Sequence, residues 1–125
     1  MSDTIVMLPD MKAHNRIAQI EQQIARIKQQ LVEVGPLHPG SLSQQYNVCG
    51  KPGCRCKDPK HPRRHGPYYK ISYVFRGRFT TRHVSLDELQ AVRAQLANHK
   101  RLRKLVEDWI ALALRLAKEK RHLQA

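Results

Sequence analysis

A chain of 125 residues with only 6% aromatic residues has room for one compact domain or for a small module carried on long helices, not for a large core. No run approaches the roughly 18 apolar residues that a membrane span requires. Three cysteines cannot pair off completely, which argues against a disulfide scaffold and for reduced thiols.

The net charge of +13 is unevenly spread. Residues 1–48 carry four basic groups against four acidic ones. Residues 49–82 carry ten basic groups against Asp58 alone, and residues 83–125 carry nine against five. So basic a middle segment attracts polyanions and repels itself, and an acidic partner is the natural expectation. A solvated face that merely keeps the protein soluble accounts poorly for +9 packed beside a cysteine cluster.

The opening residues Met1–Asp10 are too short and too polar for a secretory signal, so a cytoplasmic location with no membrane is expected. Asp10 is placed to cap a helix from about Met11 to Val34. Its apolar positions Ile17, Ile20, Ile24, Ile27, Leu31 and Val34 follow a 3-4 spacing with Gln, Arg, Lys and Glu between them, a heptad seam. That seam suits either a homodimer through the helices or a hairpin with the chain's own second helix. Gly35-Pro36 stops it, and Leu37–Val48 reads as an ordered connector.

Tyr68–Phe75 is rich in aromatic and β-branched residues, Arg76-Gly77 supplies a turn, and Arg78–Val84 returns, which predicts a β-hairpin. A two-residue loop puts Tyr69, Ile71, Tyr73 and Phe75 on one face with Arg78, Thr80, Arg82 and Val84. A three-residue loop sets Phe75 opposite Phe79 instead, and the pattern does not choose. Ser85 and Glu88 have the spacing of a capping box at the start of a second long helix. Its stripe runs Leu89, Val92, Leu96, Leu102, Leu105, Trp109, Leu112, Leu116 and Leu123, with a phase slip near Asn98–His99 that suggests a bend or break.

The chemistry lies in Cys49-Gly50-Lys51-Pro52-Gly53-Cys54-Arg55-Cys56, followed by His61 and His65. Thiolates are soft, charged donors, and a structural zinc site takes four of them or an imidazole in place of one. Cys49, Cys54, Cys56 and His65 are the expected ligands, with His61 the competitor for the fourth place. With every position filled by protein, the zinc is structural. Lys51, Arg55, Lys57, Lys60, Arg63, Arg64, Lys70, Arg76, Arg78 and Arg82 are the expected nucleic-acid contacts. A catalytic reading of the thiols lacks an oxyanion site, and a two-metal nuclease needs clustered carboxylates that this segment does not have. No enzyme is expected.

The stretch Pro39–Ser43, then Tyr46 through Cys56, then His65-Gly66-Pro67-Tyr68-Tyr69, resembles a family of small bacterial and archaeal proteins classed only as a domain of unknown function. The resemblance extends over nearly the whole chain, including Leu96–Ile110 of the last helix. Such proteins are often encoded beside transposases or recombinases, which implies DNA handling for a mobile element and a transposase or recombinase as partner. The expected fold is α+β: two long helices, as a helical hairpin or coiled coil, flanking a zinc knuckle and a β-hairpin. The parts are residues 1–36, 37–84 and 85–125, forming one structural unit. The function expected is a DNA-binding accessory or regulator, against an adaptor with purely structural zinc or an RNA-binding module.

Overall fold

The computed structural model describes residues 9–124, so most of the Met1–Asp10 leader lies outside the described residues. The order of elements is α1 (Pro9–Val32), β1 (Ser41–Asn47), β2 (His65–Phe75), β3 (Arg78–Val84) and α2 (Leu89–Gln124), with a 3-10 turn at Arg55–Lys57. The three strands form one antiparallel sheet in the order β1-β2-β3.

This arrangement corrects the expectation that two helices flank a zinc knuckle and a hairpin. The middle of the chain is a three-stranded sheet, and the cysteine loop is an insertion between β1 and β2. The supposed connector supplies the third strand, with Ser41 opposite Ser72, Leu42 opposite Ile71 and Gln44 opposite Tyr69. A hairpin alone would leave one side of β2 with unpaired N–H and C=O groups beside an apolar core, and β1 satisfies them. Gly40 makes the join possible. It sits at φ 108°, and a Cβ there would run into the Ser72 carbonyl.

The contacts divide the chain into two units, one spanning Gly35–Lys100 and the other holding α1 with the part of α2 from Arg101 onward. In the first, the β2–β3 register pairs Phe75 with Arg78, so the turn is the two-residue loop Arg76-Gly77. Both turn residues have positive φ, 49° and 76°, the signature of a type I′ turn whose twist matches the strands it joins. The register puts Leu42, Tyr69, Ile71 and Val84 on one face, where they meet Leu89, Val92 and Leu96 of α2. Ile71 and Val84 are sealed, at 0% and 1% exposure. His38 donates its backbone N–H to the Gln95 carbonyl, and Asn98 donates to the Pro36 carbonyl at 2.7 Å. These two bonds tie the segment that leads into β1 to the first turns of α2.

In the other unit, α1 buries Ala13, Ile20, Ile24 and Ile27, and α2 buries Leu105. The ion pairs Arg16–Glu119 and Glu21–Lys120 and the ammonium of Lys28 over the Trp109 ring set the two helices antiparallel. The heptad seam is therefore the inner edge of an intramolecular helical hairpin. Asp10 is already helical, and α1 ends at Val32, with Glu33 and Val34 closing the last turn by i→i−3 bonds. The phase slip near Asn98–His99 is not a break. Helix α2 is continuous, and the stripe changes phase where the helix passes from one unit to the other.

Helix α2 begins at Leu89, later than expected, after a turn over residues 86–88. The Ser85–Glu88 pair forms differently from a reciprocal box: Glu88 accepts both the N–H and the hydroxyl of Ser85 at 3.1 Å, and Arg82 at 3.2 Å. These contacts, the Ser85 N–H foremost, hold the Glu88 carboxyl below the usual carboxylate range. A folded value below the unfolded one stabilises at pH above about 4.3, and the benefit is lost as pH falls through the folded value. Thermal melts of Glu88→Gln should lack that part of the acid-side decline seen in the wild type. Identical acid limbs would mean the carboxylate contributes nothing at this helix start.

Candidate metal centre

The loop between β1 and β2 opens two residues after Asn47 with Cys49 and closes with His65, the first residue of β2. Its first turn is tight because Gly53 adopts φ 76°, and the Cys54 N–H reaches the Lys51 carbonyl at 3.4 Å. Cys54 then enters the 3-10 turn Arg55–Lys57, where the Lys57 N–H donates to the Cys54 carbonyl at 3.0 Å. The chain returns through Arg63, whose N–H donates to the Arg55 carbonyl at 2.9 Å. Asp58 folds the outer bend by accepting the N–H groups of Lys60 and His61 on Oδ1.

The result brings Cys49, Cys54, Cys56 and His65 together, with all four ligand atoms within 4.8 Å of one another. The Cys49 and Cys56 sulfurs are 3.5 Å apart, and Cys54 Sγ is 3.2 Å from His65 Nε2. A tetrahedral zinc with bonds of about 2.3 Å to sulfur and about 2.0 Å to nitrogen has edges of about 3.5–3.8 Å, close to these separations. Cys56 is 3% exposed, and the other three are half-buried. His61 lies outside the group and is exposed. The close Cys54–Cys56 spacing is workable because the 3-10 turn swings Cys56 inward, where its Sγ accepts the Cys49 N–H at 3.3 Å.

The electrostatics suit a cation. The N–H of Cys56 foremost, with the neighbouring Cys49 and Cys56 thiols and His65, pulls the Cys54 thiol down to about 6. The Lys51 N–H lowers Cys49, whereas burial pushes Cys56 up, and the thiolates of Cys49 and Cys54 raise His65. Among the described residues the group offers four donors, three soft sulfurs and one imidazole, the number and kind that a tetrahedral metal site takes.

Around this set stand Lys51, Arg55, Lys57, Lys60, Arg63 and Arg64, all exposed. Arg76 and Arg78 are exposed at the β2–β3 turn, at the other end of β2, and Lys70 is half-buried between. Arg82 differs from the rest, because it is bound to Glu88 at 3.2 Å. Among the described residues none of the other nine is in an ion pair. Face alone does not sort the aromatics, because Phe75 shares the face of Tyr69 and Tyr73 but lies at the turn, beyond the reach of the core. Tyr69 is core and Tyr73 is half-buried with His38 at its ring edge, whereas Tyr68, Phe75 and Phe79 are exposed.

A Cys3His group compatible with a metal ion, on the insertion loop of a small antiparallel sheet and within a strongly basic segment, is what the fold and site define. The chain belongs to a family described as a domain of unknown function (DUF6788), whose profile matches residues 17–94. No curated protein and no solved structure matched the chain. Among the described residues no helix is long and apolar enough to cross a membrane.

Proposed function

We propose that the protein is a zinc-stabilised nucleic-acid-binding module, with duplex DNA the favoured partner. The observation that carries this reading is the cation shell on the cysteine loop and sheet. Residues 49–82 set ten cations against one acid, and that acid accepts backbone N–H groups of its own loop. Nine of the cations have no ion-pair partner among the described residues. Like charges are held close together here at an electrostatic cost, which a polyphosphate would relieve by releasing its counterions. Zinc is the metal that three thiolates and an imidazole favour, and its part is to hold the loop in the shape that displays those cations.

An accessory or regulatory role for a mobile genetic element, with a transposase or recombinase as partner, is supported only by the family resemblance in the sequence. A second reading, a helical adaptor with purely structural metal, is favoured by Val106, Ile110 and Leu114, which are exposed on α2 at four-residue spacing. A salt titration of binding to duplex DNA, repeated against structured RNA as competitor, separates these readings. If about six cations meet phosphates, log affinity should fall with log salt at a slope near −5. A flat response would remove the nucleic-acid reading, and preferential loss of DNA to the RNA competitor would replace DNA with RNA.

A further inference from the structure

We infer that the β2–β3 tip is an apolar wedge that enters a DNA duplex and unstacks a base step. This rests on the nucleic-acid reading above and names how that surface would engage. A hairpin turn that merely reverses the chain is ordinarily polar. Here Val74, Phe75 and Phe79 flank the turn and are 62%, 59% and 67% exposed. They give nothing to the core, which is built from Tyr69, Ile71 and Val84 further along the strands. The register puts Val74 opposite Phe79 on the sheet face away from that core, and Phe75 opposite Arg78 on the other. Each face of the tip therefore presents an exposed apolar side chain, with Arg76 and Arg78 beside them.

Charge indicates what the tip enters. The Arg76 guanidinium lies 5.0 Å from the centre of the Phe75 ring, and Arg78 stands across the strand from it. From His65 to Val84 there is no carboxylate, so an anionic partner is the complementary one. A lipid surface also offers anions, but the cations of the cysteine loop sit beyond the far end of β2. Ten residues of strand at about 3.3 Å each is about 33 Å. With the tip buried in a membrane along the strand direction, those cations would lie several Debye lengths (about 10 Å each) from the headgroups. With the ribbon laid along a groove, where base edges are open from the side, a duplex that advances one turn in about 34 Å brings phosphates to the tip and the loop together. Apolar side chains driven between base steps, with cations on the flanking phosphates, are a known way of kinking duplex DNA.

The test is linking number. Closed circular plasmid is relaxed by a topoisomerase in the presence of increasing protein and then stripped of protein. The wild type should shift the topoisomers in the direction of unwinding. Val74→Ala/Phe75→Ala/Phe79→Ala should bind duplex about tenfold more weakly and give no shift at equal occupancy, with its salt slope unchanged, because stacking releases no counterions. Phe79→Ala alone should lie between. A wild type that binds duplex with the expected salt slope yet leaves linking number unchanged overturns the wedge and spares the nucleic-acid reading. No duplex binding at all removes both. Retention of the wild type but not the triple variant on phosphatidylserine vesicles, with plasmid topology unaffected, overturns the wedge in favour of a lipid surface.

Discussion

Purified protein should carry about one zinc per chain, and Cys56→Ser or His65→Gln should weaken metal binding more than about a hundredfold, since losing even an outer-shell partner costs about 10–100-fold. His61→Gln is the internal control. His61 follows Cys56 at a spacing that suits a ligand, yet it is exposed and outside the group, so its variant should bind as the wild type does. The loop from Cys49 to His65 has one buried residue, Cys56, and no strand of its own. With so little packing, its order should depend on the metal. Chelation should therefore expose Lys51, Arg55, Lys57, Lys60, Arg63 and Arg64 to trypsin while leaving the helical circular dichroism of α1 and α2 nearly intact. Equal cleavage with and without chelator, or full metal affinity in Cys56→Ser, would sink the four-ligand account.

Neutralising Arg63, Arg64, Arg76 and Arg78 together should weaken duplex binding by on the order of a hundredfold near physiological salt. It should also flatten the log–log salt slope by about 3.6, or about 0.9 for each phosphate that is no longer neutralised. These four are exposed, and among the described residues none is in an ion pair, so the fold loses no salt bridge with them. Arg82→Gln is the matched contrast. Its guanidinium is engaged by Glu88, so it should change the slope less than Arg63→Gln does. If the fourfold variant kept the wild-type slope, the cation shell would be a solvated surface and the adaptor reading would take precedence.

Much of the architecture was legible because it follows from local pattern. Both helices, the turn at Arg76-Gly77 and the gathering of thiols around Cys49–Cys56 each have a signal within a few residues. The strand Ser41–Asn47 has none. Its residues Ser, Gln and Asn are poor strand formers, one apolar side chain (Leu42) faces the core, and its partner lies nearly thirty residues on. Pairing at that distance is set by the need of β2 for a neighbour, which propensity does not express. The hairpin register stayed open for a related reason: both loop lengths gave an acceptable face, and the choice rests on Arg76 adopting positive φ. Arg82 read as one more cation because its ion pair with Glu88 forms across the β3–α2 turn, six residues away. The choice of His65 over His61 depends on where β2 begins, which spacing alone does not reveal.

The left-handed backbone at Arg76 has a consequence of its own. Asparagine or glycine would sit there at ease, whereas arginine bears about 1–2 kcal/mol of conformational penalty. A relaxed hairpin would be easy to reach by a single codon-level change. Its apex instead holds a cation where the turn itself favours a small, neutral residue.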